Sequence, residues 1–141
     1  MKKIVFAPDS FKGTMSAKRV CEIYQEGAYI SFPDAEYVSL PLSDGGEGMI
    51  DSLLTYLGGK RITIKVRDPL WREIDADYSM LWDGTALIEM AAASGLTLLS
   101  KTERDPLITT TYGTGQLIRD ALFRGSKKII LGLGGSATND G

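Results

Sequence analysis

The hydrophobic and polar positions along the chain change period several times, and each change predicts an element. Residues 2–8, KKIVFAP, form a short run rich in branched and aromatic side chains and ended by Pro8, the pattern of a buried strand. After the loop DSFKGT, Ser16 is placed to cap a helix whose apolar positions Ala17, Val20, Cys21, Tyr24 and Ala28 recur at helical spacing. Pro33 and Asp34 mark a turn into a second strand, AEYVSLP, followed by the loop LSDGGEG. Met49, Ile50, Leu53, Leu54 and Leu57 then lie on one helical face, and Gly58-Gly59 stops that helix.

Beyond Gly59 the period becomes two. Ile62, Ile64 and Val66 alternate with polar residues, as do Ile74, Ala76, Tyr78, Met80 and Trp82 after the turn DPLWR. Asp83-Gly84 predicts a two-residue type I′ hairpin with positive φ at both positions, leading into the strand TALIEMA. Residues 94–112 show no clear period. Leu117, Ile118, Ala121 and Leu122 predict a short helix ended by Gly125, and KKIILGL, which lacks alternation, predicts a final strand buried on both faces. The order β-α-β-α, meander, α-β implies an α/β fold. A Rossmann-like parallel sheet would be built by residues 1–59, and an antiparallel β-meander would open a second α/β domain over residues 60–141. The composition shift near Gly59 marks either that boundary or an insertion.

Composition then removes several kinds of chemistry. Sixteen basic residues stand against eighteen acidic ones, a net charge of −2 that gives no electrostatic grip on nucleic acid. A single cysteine, Cys21, allows no intrachain disulfide, and its place on an apolar helical stripe makes it an inert buried thiol. With no signal peptide and no apolar run of membrane-spanning length, the expected compartment is the cytoplasm. The chain has no histidine, which excludes Ser-His-Asp and Cys-His catalysis and most zinc sites. Carboxylates, lysine, hydroxyls, backbone amides and a hard metal ion remain.

Those groups gather in three loops that each follow a strand: Asp9-Ser10-Phe11-Lys12-Gly13, Ser43-Asp44-Gly45-Gly46-Glu47-Gly48, and Gly134-Gly135-Ser136-Ala137-Thr138-Asn139-Asp140-Gly141. If the strands share one sheet and one direction, the loops meet beyond its carboxyl edge, where open parallel sheets bind ligands. Singly, each loop reads as turn-forming residues; no Walker A motif occurs, and Gly132-x-Gly134 lacks the third glycine of a dinucleotide fingerprint. Together they suit phosphoryl transfer, which needs positioning and charge neutralisation rather than histidine. Glycine-rich backbone admits phosphate to amides, Lys12 supplies a positive charge, and Asp9, Asp44, Glu47 and Asp140 are hard oxygen donors suited to magnesium. A carboxylate among them would also orient or deprotonate an attacking hydroxyl.

The segments APDSFKGTMSA, PLSDGGEGMID, IEMAAASGL, RDPLITTTYGTGQLI and GLGGSATNDG, in this order, resemble the type I glycerate kinase family along the whole chain. The resemblance implies a two-domain α/β kinase with a cleft between its domains, using ATP and Mg2+ to phosphorylate D-glycerate to 2-phosphoglycerate. It also implies that these 141 residues are the N-terminal portion of a longer enzyme, ending inside the third loop and inactive alone. Asp44, Lys12 and Asp9 are the catalytic candidates. Ser10, Gly45, Gly46, Gly134, Gly135, Ser136, Thr138, Asn139 and Asp140 are the candidates for substrate or phosphate, and Asp44 with Glu47 for the metal. Two departures stand out: Thr14-Met15 replaces the commoner Ser-Leu, and Gln116 sits where the family usually has glutamate. Read alone, the residues also fit a non-catalytic module binding a small anion or nucleotide, or a structural fragment completed by a partner segment. The uncovered final strand leads to an expectation of self-association or marginal stability.

Overall fold

The computed structural model describes residues 2–11 and 13–140. They form two compact units, Met1–Asp44 and Gly45–Gly141. In the first, β1 (Lys3–Phe6) pairs in parallel with β2 (Glu36–Ser39), joined by α1 (Ala17–Ser31). The helix starts where the sequence places it, because the Ser16 hydroxyl accepts from the Arg19 amide at 3.3 Å. Ala17, Val20 and Cys21 are its buried residues, and the Cys21 Sγ lies 3.7 Å from the Phe6 carbonyl. Burial pushes that thiol's pKa up, as an inert core cysteine requires.

The second unit contains α2 (Met49–Leu57), β3 (Gly59–Arg67), β4 (Glu73–Leu81), β5 (Thr85–Glu89), α3 (Ala91–Ser94), α4 (Tyr112–Phe123) and β6 (Lys128–Gly132). Its sheet has the order β3-β4-β5-β6, antiparallel up to β5 and parallel between β5 and β6. The meander and the final strand are thus one mixed sheet. The composition shift near Gly59 does not coincide with the division between the units.

Packing explains the change of period. Val66, Ala76, Tyr78, Met80, Ala86 and Ile88 form a core with Ala93, Leu117 and Ala121 from α3 and α4. Leu81 and Leu87 point the other way, against Met49 and Ile50 of α2. The central strand β5 is covered on both faces and is apolar at successive positions. On β3, by contrast, Ile62, Ile64 and Val66 meet the core, while Lys65 pairs with Glu73 and Asp75 and Arg61 lies beside Asp77.

Two expectations need correction. The β4–β5 connection is three residues, Trp82-Asp83-Gly84, and Gly84 (φ 84°) is its sole positive-φ residue, so the turn is not type I′. The Asp83 carboxylate instead accepts from the Thr85 amide at 2.8 Å. The final strand is half-buried rather than buried on both faces, because it is the edge of its sheet. The stretch after Ser94 contains two short 3₁₀ turns, Leu96–Leu98 and Lys101–Glu103.

Candidate functional site

Strands β5 and β6 run side by side with Glu89 opposite Gly132, so both carboxyl ends open on the same edge of the sheet. Two glycine-rich loops touch there. The Gly134 amide donates to the Gly45 carbonyl at 3.2 Å. A Cβ on Gly132 would stand 2.3 Å from the Gly45 oxygen, and one on Gly134 would stand 2.5 Å from the Gly46 Cα. Only glycine allows this approach, since the obstructing atoms are backbone.

From Gly135 the loop is held on both sides. Its carbonyl accepts from the Leu96 amide at 2.9 Å, and the Ala137 amide donates to the Ser94 carbonyl at 2.9 Å. Thr109 donates its hydroxyl to the Ala137 carbonyl at 2.8 Å. Ser136 and Thr138 share a hydroxyl–hydroxyl bond of 2.9 Å, and the Thr138 amide donates to the Ser136 oxygen. Behind them, Ser94 and Thr114 pair at 2.7 Å in a buried contact.

Neither long helix of this unit has a side-chain cap of its own. Each receives a carboxylate from elsewhere in the chain. Glu89, half-buried at the end of β5, accepts from the Ile50 amide in the first turn of α2 at 2.8 Å. Asp140 accepts from the Thr111 amide at 3.0 and 3.1 Å and from the Thr110 hydroxyl at 3.0 Å, at the start of α4. The two environments act in opposite directions. Burial raises the Glu89 pKa despite the opposing Ile50 and Gly48 amides, whereas the Thr111 amide holds Asp140 below the usual carboxylate range.

An open groove of about 530 Å³ runs along α4 and β6 from Asp140. Ile118, Leu131 and Leu133 give it an apolar lining, with Thr111, Gln116 and Arg119 as polar groups. Gln116 is also structural, since its side-chain oxygen accepts from the Arg67 amide at 2.7 Å and ties α4 to the end of β3.

The three predicted loops do not belong to one sheet: β1 and β2 form one, and β6 belongs to another. Among the described residues, then, these strands do not share one sheet. What the second unit does assemble is Gly45 and Gly46 with Gly134, Ser136 with Thr138, and the Ala137 carbonyl and Asp140 on the threonine-rich segment before α4. Gly135 continues the same loop, and Asn139 is exposed there. In the first unit the Asp9 carboxylate accepts from the Ser10 amide at 2.6 Å, and Asp44 is exposed at its end. Lys12 lies outside the described residues.

Asp44 and Glu47 are each exposed carboxylates, hard oxygen donors of the kind that magnesium takes. Among the described residues no three metal-ligating side chains cluster. A magnesium ion carried on phosphates takes one or two carboxylates and does not need such a cluster.

Sequence reasoning missed Glu89 and the threonines at 109–111. For Glu89 a signal existed, as it is the charged residue that interrupts TALIEMA and belongs to the segment IEMAAASGL. The threonines lie in the stretch without period, so their partners came only with the fold.

A sequence profile described as the Glycerate kinase family matches residues 4–141. A glycerate kinase of Bacillus cereus is 53% identical over 140 residues, 99% of this chain and 37% of that protein. A glycerate 2-kinase of Escherichia coli is 49% identical over the same shares. A crystal structure described as a glycerate kinase 2 from Salmonella typhimurium LT2 matches with a TM-score of 0.78 and 47% identity, over 99% of this chain and 37% of that one. The chain thus spans little more than a third of the length of these relatives. By the match of its sequence over nearly every residue, it belongs to the glycerate kinase family.

Proposed function

We propose that this chain is the part of an ATP-dependent glycerate kinase that supplies the glycine-rich phosphate-binding loops, with 2-phosphoglycerate as product. The observation that carries the reading is the backbone contact of Gly45 and Gly46 with Gly134, at the carboxyl ends of two parallel strands. Glycine-lined backbone lets phosphate oxygens approach amides that side chains would otherwise shield. Ser136, Thr138 and Asn139 offer hydroxyl and amide groups on the same loop. Lys12 and Ser10 bind phosphate or the glycerate carboxylate, with Asp9 as their catalytic neighbour. Asp44 and Glu47 hold the metal, and Asp44 orients the attacking hydroxyl. A bound magnesium ion would neutralise charge on the transferring phosphoryl group. The reaction needs no membrane or nucleic acid, and its setting is the cytoplasm.

The test is phosphorus NMR of ATP, magnesium and D-glycerate, with this chain and with the chain extended to the length of its relatives. A 2-phosphoglycerate signal from the extended protein alone is the expected result. Binding of Mg-ATP by the short chain without product would fit a module completed by further sequence. No product from either protein would overturn the kinase reading.

A further inference from the structure

Glu89 stands where three parts of the second unit meet. It ends β5, it lies opposite Gly132 at the start of the glycine loop, and it accepts from the Ile50 amide in the first turn of α2. That helix begins at Gly48, which offers no side-chain acceptor. An uncapped helix start presents unpaired amides, and a carboxylate is the group that best satisfies them. The same helix start is the end of the segment Gly45–Gly48, whose Gly45 carbonyl accepts from the Gly134 amide. Arg61, which lies beside Asp51 and Asp77, also acts on Glu89 through its charge, but Glu89 makes its hydrogen bonds to amides. Its partners are the backbone amides of Ile50 and Gly48, at the start of the helix.

We infer that Glu89 is a positioning residue for phosphoryl transfer: by fixing the start of α2, it sets the spacing between the Gly45–Gly48 and Gly132–Gly135 loops. This rests on the kinase reading for its catalytic consequence and on geometry alone for its structural one. The separation of two phosphate-binding loops is then governed by a side chain that touches neither the reacting hydroxyl nor the phosphoryl group.

Hydrogen exchange on the 141-residue chain tests the geometry. Glu89→Ala should raise exchange at the Ile50 amide and also at the Gly134 amide, each about tenfold or more, while amides in the β3–β4 pairing stay unchanged. Faster exchange at Ile50 alone would make Glu89 a local cap and overturn the proposal. Turnover by the chain extended to the length of its relatives tests the consequence. Glu89→Ala should lower kcat/KM about a hundredfold, a misplacement effect, with melting temperature measured in parallel. Glu89→Gln retains a carbonyl acceptor for the Ile50 amide and should restore most of that loss. If Gln fails to rescue while exchange stays native, the carboxylate charge itself is required and positioning is refuted. Absence of turnover in the unsubstituted extended chain would sink the kinase reading and leave the exchange result standing.

Discussion

The two compact units are built on different kinds of interaction. In Met1–Asp44 the start of α1 is set locally, by Ser16 from the adjoining position, and β1 pairs with β2 as a sheet of two strands. Much of its apolar surface is uncovered, with Val5 at 50% and Ile30 at 84% exposure. In Gly45–Gly141 the organising contacts come from far along the chain. Glu89 reaches α2, Asp140 reaches α4, and Tyr78 bonds to Asp120 beneath a sheet covered on both faces. The difference shows that only one of the two kinds of helix start is legible in sequence. A local cap fixes where a helix begins, whereas a carboxylate delivered by a distant strand also fixes where that helix lies.

The largest expected effect is in local stability. Two strands and a helix bury too little apolar surface to match the second unit. Amides of the β1–β2 pairing should therefore exchange roughly a thousandfold faster than those joining β4 to β5. Equal protection in both would show one cooperative unit and dissolve the comparison.

A middle-sized effect concerns Tyr78, which is fully buried and donates to the Asp120 carboxylate at 2.7 Å. Burial, together with Asp120, pushes the phenol's pKa up, so it remains a donor throughout the ordinary range. Tyr78→Phe should cost about 2 kcal/mol, the range for a hydrogen bond to a charged group. The cost should depend on pH. Burial opposes ionisation of Asp120, but Arg124 and Tyr78 outweigh it and hold its pKa below the ordinary 3.8. A lowered carboxylate pKa gives stability that is present above the ordinary value and lost as pH falls through the folded one. Melts at neutral pH and well below pH 3.8 should therefore show the variant's deficit shrinking in acid. A deficit independent of pH would place the energy in packing rather than in this bond.

The smallest effect belongs to the local cap. Ser16→Ala should cost about 1 kcal/mol and quicken exchange in α1, with the second unit unmoved. Faster exchange in β4 and β5 as well would mean that the two regions are not energetically separate.

Much of the element order was legible in the sequence. Period two marked β3 and β4, helical spacing marked α1, α2 and α4, and Ser16 marked a boundary, because each of these depends on near neighbours. The site was partly legible. Gly45, Gly46, Gly134, Ser136 and Thr138 stand out as turn-forming and polar residues wherever they lie in space. Glu89 did not, since one acidic residue in an apolar strand looks like an irregularity until the Ile50 amide is seen against it.

By itself, then, the sequence determined the periodic elements, the family and the polar loops that follow strands. The tertiary structure decided which of those loops touch. It joined β6 to the meander rather than to β1 and β2, and brought the Gly134 amide onto the Gly45 carbonyl. It also turned two carboxylates from remote positions into helix caps. The physical reason is one of range. Side-chain period and local capping are set within a few residues, but sheet order and backbone approach depend on which apolar faces become buried together.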